Sequence, residues 1–437
     1  KVWDGRYTGI RMCNELLENI DRVPDLDPEL KKRYIGEAKV LRAYNYYELY
    51  TKFGDVPYTT KVLSIKESMS IARTAKATVI ANVLADLDEV INGNYLPTSY
   101  DADNKGRITR WAAMAIKAKI YLFEGNWTQV KNITSTIMTE GGFKLFGSYA
   151  GLFEIANEYN SEVILDAQYR PTSREHQMMY VFLPPTLGGY SQLSPLQELV
   201  DSYIMLDGKT IKETGTSFDE SHPYANRDPR LKATVMYTGN SYTLADGTEV
   251  VINCEKGEGK DGYGVGSDCS ATGYYIKKYW DNAYRATLYS GLNPILIRYA
   301  DILLMNAEAL AELGELDKTA WDATIKPIRD RAGFTLASAV EFPEGASKDK
   351  LIEIVRNERR SELALEGHRH KDIIRWRIAD DVLNGWCHGL KTNEVVGTDN
   401  GYVRVENRAF NANKHYLWPI PQAERDLNGN LVQNPNW

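Results

Sequence analysis

Four parts of the chain carry apolar side chains at helical spacing. In the first part these side chains lie three to five positions apart, which predicts a helix over residues 30–53. The side chains on this face are Ile35, Ala38, Leu41, Tyr44 and Leu49. A partner helix is predicted over residues 7–20, and residues 21–28 would form the loop between the two.

Two further helix pairs repeat this design. Thr109 is the expected N-cap of the second pair, whose helices are joined by a turn at Gly125-Asn126-Trp127. The third pair is predicted over residues 299–313 and 319–331, with Gly314 between them. Each pair can bury its apolar face only by stacking on a neighbour, as tetratricopeptide repeats do.

The fourth helical segment is predicted over residues 348–379. Together the four segments predict a mainly α fold, in which tetratricopeptide-like helix pairs form a superhelical scaffold.

The middle of the chain has a different character. Short β-prone runs at residues 162–168 and 249–252 alternate with loops rich in Gly, Pro and Asn. We expect a loop-rich insertion containing short strands, rather than a second domain with its own core. Loops on a rigid frame are where binding residues usually lie.

These patterns predict a single domain over residues 1–437. Its parts would be N-terminal helix pairs over 1–140, the insertion over 141–294, C-terminal helix pairs over 295–376 and a tail over 377–437 that packs on the scaffold.

Three blocks near the C-terminus point to a family. Residues 297–309 read Ile-Arg-Tyr-Ala-Asp-Ile-Leu-Leu-Met-Asn-Ala-Glu-Ala, residues 356–369 read Arg-Asn-Glu-Arg-Arg-Ser-Glu-Leu-Ala-Leu-Glu-Gly-His-Arg, and residues 418–421 read Trp-Pro-Ile-Pro. In this order they resemble the SusD/RagB family, the surface nutrient-binding lipoproteins of Bacteroidetes. Residues 38–58 and 194–203 also resemble this family, so the resemblance spans nearly the whole chain.

The resemblance implies a function and a location. Such a protein captures oligosaccharides or polysaccharides at the cell surface and delivers them to a SusC-like TonB-dependent outer-membrane transporter, without catalysis. The helical scaffold would supply part of the surface that docks on the transporter. No apolar stretch of 18 residues is present, so membrane contact is expected only through an N-terminal lipid anchor. The signal peptide and anchor cysteine are expected to precede this chain.

Charge and cysteine content argue against several other kinds of binding site. A net charge of −7 and a pI near 5.6 argue against nucleic-acid or anionic-membrane binding. The four cysteines form no CxxC pair or Cys/His cluster, so no zinc site is predicted. Cys254 and Cys269 flank a glycine-rich loop, and both a disulfide and free thiols are compatible with this spacing.

Residues 257–262 fit G-x-G-x-x-G, the glycine pattern of dinucleotide-binding sites. No helix is predicted after them, so no dinucleotide or other cofactor is expected.

A catalytic site is not predicted. Glu358, Glu362 and Glu366 lie four residues apart among arginines, a pattern more typical of ion pairs than of two catalytic acids in a cleft. His368 and His370 are two apart and would point in different directions on a helix, so they are not expected to share a metal. We therefore interpret the chain as a binding protein rather than an enzyme.

Aromatic loops are the candidate glycan site, because sugar C–H faces stack on rings and sugar hydroxyls bind amides. One of these loops, residues 176–193, directly precedes the block at 194–203. The resemblance to the SusD/RagB family implies that an aromatic ring stacks on sugar near the position of Tyr190. A second aromatic run, 274–289, alternates like a strand at first, and its later rings are expected to be exposed. The candidate glycan-binding residues are Tyr180, Phe182, Tyr190, Gln192, Trp280 and Tyr284.

An alternative function is a tetratricopeptide-like protein-binding scaffold with no specific glycan ligand. Binding assays with a panel of oligosaccharides separate the two hypotheses. A glycosidase is a third and weaker reading, because no paired acids are predicted in a loop cleft.

Overall fold

The computed structural model describes residues 1–437. Helices dominate, and the strands form four small sheets. The predicted mainly α fold class is therefore confirmed. The chain separates into two compact units. Unit 1 contains residues 1–141, 370–383 and 410–437, and unit 2 contains residues 142–369 and 384–409.

Unit 1 is built from helices. They are Val2–Asn19, Pro28–Phe53, Ile65–Ser68, Lys76–Asn92, Arg110–Phe123, Trp127–Glu140, Ala379–Val382 and Gln422–Leu427, together with nearly all of Arg369–Arg375. The side chain of Asp27 accepts a hydrogen bond from the Leu30 amide, and this cap with Pro28 at the first position starts the longest helix. Thr109 caps Arg110–Phe123 as predicted, through its bond from the Ala112 amide.

The helix Lys76–Asn92 was not predicted from the sequence. It packs against Pro28–Phe53, where Val83 and Leu87 are buried. The guanidinium of Arg42 binds Asp86 across this contact at 2.7 Å. Lys76–Asn92 also packs against Arg110–Phe123, so it buries apolar side chains that a single helix pair would leave exposed. None of the protein's helices is both long and apolar enough to cross a bilayer.

Unit 2 contains the other helices and all nine strands. The helices are Met178–Phe182, Gln197–Ser202, Pro229–Thr234, Tyr299–Leu313, Lys318–Ala332, Ala337–Val340 and Lys348–Glu362. The strands are Val163–Asp166, Val235–Met236, Ser241–Thr243, Glu249–Val251, Tyr275–Ile276, Ile295–Arg298, Gly385–Lys391, Thr398–Asp399 and Tyr402–Arg408. The predicted third helix pair is present, and Gly314 ends its first helix in the left-handed conformation.

All the strands pair in an antiparallel manner. Val163–Asp166 pairs with Ile295–Arg298, although the two are about 130 residues apart in sequence. In the one three-stranded sheet, Tyr402–Arg408 is central, with Gly385–Lys391 and Thr398–Asp399 on either side.

The fourth helical segment differs from the prediction. The structure divides residues 348–379 so that Lys348–Glu362 ends well before Arg369–Arg375 begins. Leu365 and Gly367 lie in the gap with φ angles of +65° and +80°, which interrupt helical hydrogen bonding. The prediction of one continuous helix was wrong because ion pairs from Arg298 and Lys278 to Glu366 hold the chain in this turn.

The prediction of ion pairs is confirmed for Glu358, Glu362 and Glu366, all of which are buried. The pairs are Glu358–Arg230 and Glu358–Arg329 at 2.7 Å, Glu362–Arg298 at 2.6 Å, and Glu366–Arg298 and Glu366–Lys278 at 2.7 Å. Burial alone would raise the pKa of the Glu366 carboxyl, but Arg298 and Lys278 outweigh it and lower this pKa to about 2. These acids are therefore charged structural groups.

Residues from the middle of the chain form a hydrophobic core together with Leu390 of the three-stranded sheet. The core residues are Met179, Leu183, Leu187, Val200, Tyr203, Leu231, Val235, Met236, Tyr242, Ile252, Cys254, Tyr274, Tyr275, Tyr284, Leu288 and Leu390. The sequence did not show this core because its strands have only two or three residues, too few for a readable period. Residues 295–369 of the predicted C-terminal helix pairs also fall in unit 2, whereas residues 370–376 fall in unit 1. The single-domain organisation stays a prediction.

Candidate functional site

The site begins with a short helix, Met178–Phe182, that carries Tyr180. Just before it, His176 and Ser290 exchange two backbone hydrogen bonds of 2.9 Å. The His176 ring also contacts the Leu292 carbonyl oxygen at 2.9 Å, which fixes the start of the helix. This bridge brings the segment around residue 289 beside a loop more than 100 residues earlier in the chain.

The chain after the helix turns back on it through two glycines. Gly188 has a φ angle of +83°, and a Cβ atom on Gly189 would lie 2.1 Å from the Leu183 carbonyl oxygen. Only glycine fits this close approach of backbone to backbone. The returning amide of Tyr190 donates to the Tyr180 carbonyl oxygen at 2.9 Å, and that of Gln192 donates to the carbonyl oxygen of residue 181 at 2.8 Å.

The turn produces an aromatic surface, here called the tyrosine platform, which consists of Tyr180, Tyr190 and Tyr289. The rings of Tyr180 and Tyr190 lie 4.4 Å apart with an interplanar angle of 33°. Tyr190 and Tyr289 are 40% and 42% exposed. The amide nitrogen of Gln177 donates to the Tyr289 hydroxyl at 2.9 Å, so an amide group lies directly beside the rings.

Neighbouring groups raise the pKa of the Tyr180 hydroxyl. A hydrogen bond with Tyr190, followed in size by desolvation and by the electrostatic effects of Tyr190 and then Tyr289, raises the pKa of Tyr180 to about 12. The Tyr180 hydroxyl therefore keeps its proton at neutral pH. A protonated phenol can both donate and accept, which is the pairing that a sugar hydroxyl requires.

The glycine-rich loop borders this platform. Its Asp261 carboxylate accepts a hydrogen bond from the Thr186 amide at 2.8 Å, and the exposed Asp268 contributes to the raised pKa of Tyr180. The loop continues in turns after the G-x-G-x-x-G match, with no helix, as predicted. Cys254 and Cys269 are both free thiols, so of the two alternatives left open by the sequence the structure has no disulfide.

The platform contains two of the six candidate glycan-binding residues, Tyr180 and Tyr190. Gln192 follows directly in the same turn and is exposed. Phe182 is half-buried, and its ring lies 6.2 Å from Tyr279 in an interior cluster. One side of that five-residue helix thus faces solvent while another packs inward, a division that helical spacing allows.

The two candidates from the second aromatic run lie elsewhere. Trp280 is half-buried, its ring is 5.1 Å from that of Tyr242, and its indole nitrogen donates to the Thr243 carbonyl oxygen at 3.2 Å. Tyr284 is only 8% exposed, so the expectation that its ring is exposed was wrong. Asp281 caps the single helical turn that carries Tyr284, and this turn directs the ring into the core.

The exposed ring that sequence reasoning missed is Tyr289. At the start of the same aromatic run, Tyr274 and Tyr275 are 2% and 0% exposed. The expected alternation of inward and outward rings therefore does not hold there. The strand there has two residues and is covered on both faces. The signal for Tyr289 is its contact with Gln177, which no local pattern reveals.

Neither metal ligation nor catalysis is suggested by the arrangement. No group of three or more His, Cys, Asp or Glu side chains is placed to hold a metal ion. The groups at the platform are neutral hydroxyls and amides with one nearby carboxylate. Their chemistry suits hydrogen bonding and stacking.

Comparisons with known proteins agree with this picture. A model described as the SusD family matches residues 152–437, which is more than half of the chain. The chain belongs to this family. A second model, described as starch-binding and associating with the outer membrane, matches residues 1–122 of this SusD-family protein. The predicted family resemblance is confirmed.

Individual relatives of this SusD-family protein match over nearly its whole length. A SusD-like protein of Formosa agariphila is 28% identical over 458 residues, which cover 99% of this chain and 78% of the relative. The crystal structure of a SusD-like carbohydrate-binding protein from Bacteroides fragilis superposes with a TM-score of 0.87 at 30% identity, covering 99% of this chain and 85% of that protein. A laminarin-binding SusD-like protein has a TM-score of 0.69 at 25% identity, covering 100% and 85%.

Proposed function

We propose that this protein is a non-catalytic surface receptor that captures oligosaccharides or polysaccharides on the tyrosine platform. The observation that carries the proposal is the close pair of rings of the half-buried Tyr180 and the exposed Tyr190, held in place by backbone hydrogen bonds. A sugar ring can lie on such a surface without any rearrangement of the loop. Preorganisation of this kind lowers the entropic cost of binding.

Polar groups around the rings support the same proposal. Gln177, Gln192 and Asp268 supply amide and carboxylate partners for sugar hydroxyls. Gln177 donates to the Tyr289 hydroxyl, and Gln192 and Asp268 are exposed in the adjoining loops. The relatives described as binding carbohydrate or laminarin are consistent with this assignment.

Replacing Tyr190 tests the platform. Tyr190→Ala is expected to weaken glycan binding by about 1–3 kcal/mol, the usual loss for an aromatic anchor at a binding surface, because the sugar loses its stacking partner. Isothermal titration calorimetry against laminarin, starch, xylan and mannan oligosaccharides first identifies the ligand and then measures the variant. The melting temperature should change little, since Tyr190 is 40% exposed.

Trp386→Ala is the matched control, because Trp386 is 43% exposed and lies on the three-stranded sheet outside the platform. Its affinity for the glycan should equal that of the native protein. Equal affinity of the Tyr190 variant and the native protein would remove this ring from the site. If no glycan in the panel binds, the protein-binding scaffold becomes the better hypothesis.

Delivery to a SusC-like TonB-dependent transporter is the second part of the proposal, with an N-terminal lipid anchor holding the protein at the outer membrane. In unit 1, exposed apolar side chains gather where Asn428 and Asn430 bind the backbone of residues 68–71. They are Met69, Leu427 and Val432, which are 49%, 63% and 70% exposed. A contiguous group of exposed apolar side chains can mark a protein interface, whereas single ones are normal.

Co-purification tests the docking surface. The lipidated full-length protein is expected to co-purify from detergent with the transporter encoded beside it, and Leu427→Glu with Val432→Glu should reduce its recovery at least tenfold. Val395→Glu is the control, because Val395 is 88% exposed but lies in unit 2. Full recovery of the double variant would exclude this surface, and no complex at low salt would contradict the transporter partnership.

A further inference from the structure

A second concave feature of unit 2 shares no residue with the tyrosine platform. It is a cleft of about 570 Å³ between the loop around residue 222, the end of strand Val235–Met236 and the adjacent ends of Gly385–Lys391 and Tyr402–Arg408. The side chains that give the cleft its chemistry are Glu220, Tyr224, Tyr237, Glu255, Lys391 and Tyr402. A cleft of this volume lies within the range of roughly 300–1,000 Å³ typical of small-molecule sites.

Aromatic rings line the cleft, and hydrogen bonds fix them. Tyr224 and Tyr237 stack with centroids 4.0 Å apart and an interplanar angle of 18°. The hydroxyls of Tyr224 and Tyr274 are 3.2 Å apart, and the Tyr274 hydroxyl donates to the Gln197 side chain at 2.5 Å. These buried bonds hold the ring positions before any ligand arrives, as a preformed site requires.

Close backbone packing forms the base of the cleft. Gly273 has a φ angle of +74°, and a Cβ atom there would overlap the Leu390 side chain at 1.7 Å. A Cβ atom on Gly389 would lie 2.5 Å from the Thr272 carbonyl oxygen. The two glycines let Gly385–Lys391 lie directly against residues 272–273, and Gly273 and Leu390 line the cleft there.

The charges in the cleft select against an anionic ligand. Lys391 is already paired with Glu220 at 2.7 Å, and Glu255 adds a second carboxylate to the lining. The lining also includes His222, whose ring nitrogen lies 2.8 Å from the Asp219 carboxylate. With its two acids, one paired lysine and this paired histidine, the cleft would repel a uronate or sulfate. Its rim also carries Thr392 and Asn393, whose side chains donate and accept hydrogen bonds.

We propose that this cleft is a second carbohydrate site, which takes a short neutral oligosaccharide. A sugar would present C–H faces to the tyrosine rings and hydroxyls to the polar rim, whereas a planar aromatic ligand would leave those rim groups dehydrated and unpaired. The volume suits about two or three sugar rings rather than a long chain. The proposal rests on the proposed function only in the choice of sugars as probes.

The experiment measures binding stoichiometry by calorimetry in five proteins: native, Tyr190→Ala, Tyr237→Ala, and Tyr190→Ala combined with either Tyr237→Ala or Tyr237→Phe. The probes are maltotriose, laminaritriose and cellotriose, with trigalacturonate as the acidic comparison. In the Tyr190→Ala background at least one neutral trisaccharide should still bind at one equivalent. Adding Tyr237→Ala should weaken that binding at least tenfold, and Tyr237→Phe, which keeps the ring, should restore most of it. Trigalacturonate should bind at least tenfold more weakly.

A second variant protects the test against misfolding of the first. Ala225 is exposed on the cleft lining, so Ala225→Trp would fill the space without removing any core contact, and it should also abolish this equivalent. The proposal is overturned if none of the three neutral trisaccharides binds to Tyr190→Ala, or if Tyr237→Ala and Ala225→Trp leave their binding unchanged. Failure of the platform would appear separately, as a Tyr190→Ala variant that binds like the native protein.

Discussion

Arg298→Met is expected to lower the free energy of unfolding by about 3–5 kcal/mol, the usual cost of removing one partner from a buried ion pair. Arg298 is 1% exposed and binds three carboxylates. Its guanidinium lies 2.7 Å from Glu162, 2.6 Å from Glu362 and 2.7 Å from Glu366. Methionine fills similar space but leaves these acids with less compensation. Urea unfolding monitored by circular dichroism measures the change.

The pH dependence of the unfolding free energy tests the same ion-pair cluster in a second way. The folded pKa of Glu366 is about 2, below its ordinary value of 4.5, so the unfolded chain binds more protons between these values. The stability from this group is present above pH 4.5 and is lost as pH falls toward 2. Arg298→Met should flatten that acid dependence. Arg404→Met, which removes an exposed pair with Asp399, should change neither quantity, and equal effects of both variants would contradict the prediction.

Gly189→Ala is expected to reduce glycan affinity at least tenfold and to lower stability by about 1–3 kcal/mol, the range typical of overpacking. The new Cβ atom would lie 2.1 Å from the Leu183 carbonyl oxygen and 2.5 Å from its carbon. Both are backbone atoms, so no side-chain rotation relieves the overlap. The turn must open, and Tyr190 then loses its place against Tyr180. Calorimetry with the glycan identified in the panel measures the loss.

Gly247→Ala separates this steric effect from the general cost of an alanine at positive φ. Gly247 has a φ angle of +83°, but a Cβ atom added there would have no neighbouring atom within 4 Å. We expect this variant to lose some stability through backbone strain and to keep full affinity. If Gly189→Ala kept full affinity as well, the turn would not be what positions the platform.

Much of the helical architecture could be predicted because its signals are local. The cap at Thr109, the turn at Gly125 and the stop at Gly314 each act on the adjacent residues, and the structure has helices that begin or end there. The break after Glu362 was missed, because it depends on Arg298 and Lys278 from distant parts of the chain. A periodic apolar pattern carries no information about such partners.

The candidate site shows the same limit more strongly. Tyr180 and Tyr190 fall in one short segment, so reasoning about a single loop found them together. Tyr289 lies beside them only because the backbone of His176 pairs with that of Ser290. Tyr284 is buried because a single capped helical turn directs its ring into the core. Aromatic content predicted a binding surface, while exposure was decided ring by ring through nonlocal contacts.

The end of the longest helix has a consequence for how the chain is made. The carbonyl oxygen of Phe53 accepts a hydrogen bond from the Asn434 side chain at 2.9 Å, and that of Lys52 accepts one from the Trp418 amide at 2.7 Å. A ribosome releases residues 52 and 53 long before residues 418 and 434. During synthesis the Lys52 carbonyl must therefore stay bound to water until Trp418 has emerged, whereas the Phe53 carbonyl can accept earlier from the Arg73 guanidinium, which lies 3.2 Å away.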